Sequence, residues 1–226
     1  MNDLVTVQNT DLVPFDAYGI DEEEFRRQIK VSNNTISTRG KQFKFPDGNI
    51  FPTIEQCIII DHVNFYAYYP KPWDPDLIES PECWAIHKFE DELAPLNTVQ
   101  NQQSINCKDC KQNKWIKDPK KPTKNIKICK NQLRVALVAP DATETSDIYI
   151  LTVPPTGLKH WIKYTSALRG LRQIIQQHLT SITWDPKVQQ TMMFNSKGFH
   201  SLEPSTIASL RRRCAEEQLL YVSPER

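Results

Sequence analysis

The chain is 226 residues long and carries 28 Lys and Arg against 27 Asp and Glu, so its net charge of +1 excludes no partner and only the distribution of charge informs. Such a length suits one large domain with an embellishment and a sizeable core. No apolar run approaches the roughly 20 residues of a membrane span, and no apolar run behind a basic segment opens the chain, so a soluble protein with reduced cysteines is expected.

Residues 1–32 read as an N-terminal arm, polar overall, with Asp21 capping a short helix from Glu22 to Lys30. A first strand is expected from Thr35 to Phe45, broken by Arg39-Gly40-Lys41, and Pro46-Asp47-Gly48-Asn49 reads as a turn. Gln56 to Tyr69 is the most apolar segment and predicts a strand covered on both faces at its start. Pro70, Pro72, Pro75 and Pro81 end it in an extended loop carrying Trp73. Cys83 to Lys88 reads as a short strand, whereas Phe89 to Lys130 shows no periodicity, and so long a loop needs a reason to be ordered.

Gln132 to Ala139 and Ile148 to Val153 predict a hairpin around the polar turn Asp141 to Asp147. Thr156 caps a helix expected to run to about His178, weakened at Gly170. Ser181 to Phe194 reads as two short strands or one bulged strand, and Glu203 to Gln218 as a second helix. Strands outnumber helices, so the fold class is α+β, mainly β. The architecture that fits best is an OB-like, partly open β-barrel over residues 33–180, with 83–130 as a loop insertion and 181–226 packed on the same domain.

Four of the six cysteines fall in that insertion: Cys83, the pair Cys107 and Cys110, and Cys129. A C-x2-C turn presents two thiolates at adjacent corners of a tetrahedron, and Zn2+ needs two more ligands. Cys83 and Cys129 are the economical choice, and His87 is the local competitor. Cys57 and Cys214 read as small buried hydrophobes. A zinc would order the loop.

Between Lys108 and Arg134 ten cationic residues face only Asp109 and Asp118, a local basic patch in which Trp115 sits. Lysines of this density suit phosphate contacts, and interleaved aromatics suit the unstacked bases of a single strand. A lysine run is also how a plain solvated surface looks. The phosphate candidates are Lys41, Lys114, Lys117, Lys127, Lys130 and Arg134, and the stacking candidates are Tyr66, Tyr68, Trp73, Trp84 and Trp115. Catalysis is the weaker expectation, because four thiolates would close a zinc site to water, and no H-E-x-x-H, Walker A or G-x-S-x-G motif is present.

Several short motifs occur in a particular order: Ile36-Ser37-Thr38-Arg39-Gly40-Lys41-Gln42-Phe43, then Ile58-Ile59-Ile60-Asp61, then Pro81-Glu82-Cys83-Trp84. Cys107 to Asn113 follows as C-x-x-C-x-x-N, then Cys129 ahead of a basic apolar strand, and Val153-Pro154-Pro155-Thr156-Gly157-Leu158. This order resembles a family of zinc-containing proteins of tailed bacteriophages, described as single-stranded DNA-binding proteins with an OB-fold. Members carry S-x-D-G after the first cysteine, where this chain has Ala85-Ile86-His87-Lys88.

The resemblance implies a four-cysteine zinc site and sequence-tolerant binding of single-stranded DNA in phage replication or recombination, in the cytoplasm of the bacterial host. Phage replication or recombination proteins would be its partners, with no membrane involved. The alternatives are a phage accessory protein that uses the same fold to bind a host or phage protein, and a zinc-dependent nuclease.

Overall fold

Ile58, Ile59 and Ile60 lie at the centre of the molecule because the strand that carries them is covered on both faces. The computed structural model describes residues 34–71, 80–119, 121–188 and 191–222; the expected arm at 1–32 and Trp73 lie outside them. In chain order the strands are β1 (Thr35–Ile36), β2 (Phe43–Lys44), β3 (Ile50–Phe51), β4 (Ile54–Tyr68), β5 (Cys83–His87), β6 (Ile116–Asp118) and β7 (Lys121–Ile126). They continue as β8 (Lys130–Val138), β9 (Tyr149–Val153), β10 (His178–Trp184) and β11 (Met192–Phe199). The two α-helices are α1 (Leu158–Gly170) and α2 (Pro204–Glu216).

The main sheet is seven-stranded, in the order β1-β9-β8-β4-β10-β11, with β5 paired to β4 as well. Strand β4 is long enough to hold two neighbours along one edge: β10 pairs near Ile54 to Ile58 and β5 near Asn64 to Tyr68. All pairings are antiparallel except that of β1 with β9.

A bulge against β8, between Ile59 and Asp61, changes which side chains face which side. Before it, Cys57 and Ile59 face the α1 side while Ile58 and Ile60 face the α2 side; after it, Val63, Phe65 and Ala67 continue on the α2 side. Hence the continuous apolar run at 57–60 gives way to alternation. Trp161, Tyr164 and Leu168 of α1 fill one core, and Ile207, Leu210 and Cys214 of α2 fill the other.

The architecture is therefore mixed α/β, mostly sheet with two helices. No barrel closes among the described residues, since β1 and β11 end an open path. A strand with apolar side chains on both faces requires a layer on each side, and the helices provide the layers.

Helix α1 stops at Gly170, short of the expected end near His178. Leu171 and Gln173 donate to carbonyls of the last turn while Arg172 takes the left-handed conformation (φ 58°), so the chain reverses there. Ile175 belongs to the short 3-10 turn Ile175–Gln177 that leads into β10, where its apolar character still serves the core. The expected strand over 35–45 is likewise reduced to β1 and β2, because the 3-10 turn Arg39–Lys41 has Gly40 at φ 71° and Lys41 at φ 58°. Between residues 181 and 194 the chain forms two antiparallel strands, parts of β10 and β11. Among the described residues no helix is long and apolar enough to cross a membrane.

Candidate functional site

The far end of β4 and its partner β5 place the cysteines. Tyr66 pairs with Ala85 and Tyr68 with Cys83, so these four side chains share one face, opposite to that of Phe65 and Ala67. Cys107 is tied to the same place by its N–H donating to the Leu93 carbonyl (2.9 Å), and Cys129 by its N–H donating to the Gln112 carbonyl (2.9 Å). Asn113, the last residue of C-x-x-C-x-x-N, donates from Nδ2 to the Cys107 carbonyl (2.8 Å), which holds the turn closed. Asn106 caps the same turn by accepting from the Asp109 N–H (2.8 Å).

All four thiols are buried and border one cavity of about 20 Å³, lined also by Tyr66 and Tyr68. A void that size holds about one small sphere. Burial pushes the Cys107 thiol up to about 12, helped by Cys83 and Cys110. Burial also takes Cys129 to about 12, with the other three cysteines adding to it and Lys127 opposing. Cys83 rises by burial against a backbone hydrogen bond from Gln103. Cys83, Cys107 and Cys129 thus resist ionising, and a divalent cation among them would reverse that preference. Among the described residues, no group of three or more His, Cys, Asp or Glu stands at metal-binding separation; the thiols share a cavity without converging on one point.

His87 does not border that cavity. It lies on the same face of β5 as Cys83 but four residues along, about 13 Å away at strand spacing. Its Nδ1 accepts from the Phe89 N–H (3.2 Å), and its Nε2 is 3.5 Å from a Glu92 carboxylate oxygen.

Beyond the cysteines the chain forms a feature that periodicity did not reveal. β6 and β7 pair as a separate two-stranded ribbon with nearly every residue exposed, Lys117, Lys121 and Lys124 among them. A strand solvated on both faces has no apolar alternation to detect. Trp115, at the ribbon's foot, is 67% exposed, and the Lys127 Nζ stands 5.3 Å from its ring centroid while donating to Asn113 Oδ1 (3.2 Å). Lys114 donates from Nζ to the Lys108 carbonyl (3.0 Å).

An open cleft of about 500 Å³ runs beside the cysteine cavity, bordered by Tyr66, Glu90, Asp91, Cys107, Lys108, Asn113, Lys114, Trp115 and Lys127. Of these, Lys108 stands in the sequence only as part of the basic run, and Glu90 and Asp91 carry no motif that marks them.

The other candidates are placed differently. Arg134 is 7% exposed; its guanidinium donates to the carbonyls of Leu220 (3.1 Å) and Val222 (2.6 Å) and lies 4.2 Å from the Phe65 ring, so it pins the C-terminal turn and does not reach the surface. Tyr66 is buried and donates its hydroxyl to Glu90. Tyr68 is half-buried against the cysteine cluster, and Trp84 packs on the α2-side core. Lys130 is exposed where β8 begins, and Lys41 is exposed in the turn before β2, outside the cleft's lining.

Compared with models of known protein families, with curated proteins and with solved structures, the chain matches none.

Proposed function

We propose that this protein binds single-stranded DNA through the β6–β7 ribbon and Trp115, and that Cys83, Cys107, Cys110 and Cys129 anchor the ribbon by holding a structural zinc. The observation that carries the reading is a lysine-bearing ribbon, solvated on both faces, whose root carries four buried thiols that border one cavity. An isolated two-stranded ribbon is marginal in water, so its order needs a source outside itself. Four thiolates drawn in around Zn2+ would supply that source and leave no open position for water, which favours a structural metal over a nuclease centre.

Flexible lysines on an exposed ribbon follow a phosphate backbone without reading sequence, and an exposed indole stacks on any base. The proposal includes the OB-like character of the sheet and a place in phage DNA replication or recombination in the host cytoplasm, both resting on the order of motifs. The test is purified protein assayed for zinc and for oligonucleotide binding at several salt concentrations. Near-stoichiometric zinc is expected, with log affinity for single strands falling linearly against log salt by about 0.7 per phosphate neutralised. Binding absent at low salt would overturn the reading.

A further inference from the structure

The cleft at the ribbon's foot contains something a phosphate-binding surface does not need. Two acidic residues, Glu90 and Asp91, border it together with Lys108, Lys114, Lys127 and the exposed Trp115. Acids beside a phosphate track weaken it by like-charge repulsion. Their presence makes sense if the cleft receives a ligand with an anionic end, an aromatic plane and a hydrogen-bond-donating edge.

Resting on the single-stranded DNA reading, we infer that this cleft is a base-selective subsite that takes one unstacked nucleotide and favours guanine. The base stacks on Trp115, the Lys108 and Lys114 side chains take the adjoining phosphates, and Glu90 and Asp91 accept hydrogen bonds from the base edge. A carboxylate can only accept. Guanine offers two adjacent donors, N1–H and the N2 amino group, which a carboxylate receives with two parallel bonds. Adenine and cytosine each offer one amino donor beside a ring-nitrogen acceptor. Thymine places N3–H between two carbonyl oxygens that a carboxylate repels.

The volume of about 500 Å³ falls among small-molecule sites, which span roughly 300–1,000 Å³. Glu90 is also held in position: Tyr66, buried in the cysteine-side cluster, donates its hydroxyl to one carboxylate oxygen, and the remaining lone pairs on the two oxygens stay able to accept from a ligand. The ribbon then binds any sequence while one position along the strand is read.

The test compares two oligonucleotides at fixed salt by fluorescence anisotropy, all-thymidine and the same strand with one central guanosine. They are measured on the wild-type protein and on the double variant Glu90→Gln, Asp91→Asn. The amides keep an oxygen to accept from Tyr66, and an unchanged thermal unfolding midpoint checks the packing. The guanosine strand is expected to bind the wild type about tenfold more tightly, the discrimination of one good bidentate base contact, and the ratio is expected to fall close to one in the double variant. Equal binding of the two strands by the wild type overturns the subsite and leaves single-strand binding standing. A preference that survives in the double variant overturns the role given to the carboxylates. Failure to bind either strand overturns both proposals.

Discussion

The sheet and the ribbon are built on opposite terms. In the sheet, β4 buries side chains on both faces and each face has its own helix, so order follows from apolar burial, at roughly 1.5–3 kcal/mol for each large side chain removed from water. In the ribbon, β6 and β7 bury almost nothing, and only the residues at its root, Cys107, Cys110 and Cys129 with Asn113, are enclosed. The difference teaches where perturbations should propagate: damage to the sheet is global, whereas damage to the root should stay local.

The largest effect is expected from Ile59→Ala. Ile59 is fully buried in the α1-side core, and truncation should cost about 2–5 kcal/mol in urea unfolding, taking sheet and ribbon together. Next, a chelator or Cys110→Ser should free the ribbon alone. Hydrogen exchange should show amides from 107 to 129 losing protection while those of β4 and β8 keep theirs; an unchanged pattern across 107–129 would show that the thiols hold the root without metal.

Trp115→Ala should separate binding from folding. The ring is exposed, so stability should move by no more than about 0.5 kcal/mol, while oligo-thymidine affinity should drop by about 1–3 kcal/mol. Unchanged affinity would remove the indole from the binding face.

The effect with the narrowest window is alkaline. Burial pushes the Cys57 thiol, hydrogen-bonded to the Thr180 carbonyl in the sheet core, from 9.0 up to about 12. The folded state therefore keeps a proton that the unfolded state loses, so this contribution is complete below pH 9 and declines as pH rises towards 12, by about 1.4 kcal/mol per pH unit. Cys57→Ala should flatten that slope in urea unfolding followed across the alkaline range, and an equal slope in both proteins would assign the decline to other groups.

How much of this was legible in the sequence follows from the same contrast. β4, β8, β9 and α2 were readable because buried faces leave a period in the chain, whereas the ribbon was silent because a doubly solvated strand leaves none. Helix α1 was read too long, since Ile174 and Ile175 continue the apolar spacing while the backbone reverses at Arg172. Arg134 shows the limit of reading charge: within a basic run it looks like a phosphate contact, yet the fold draws it inward to two carbonyls. The cysteines were legible as a set by chemical type, but only the fold shows that Cys83 borders the cavity of the other three while His87, farther along β5, does not.

The bulge between Ile59 and Asp61 makes β4 unusually sensitive to the count of its residues. Most positions in a core strand can be varied in kind, yet losing a single codon here would exchange the two sides for everything downstream. Tyr66 would turn from the cysteines towards α2, and Phe65 would turn from Arg134 towards the thiols. In a genome where short deletions arise, this strand should accept apolar substitutions that conserve volume and almost never a change of length.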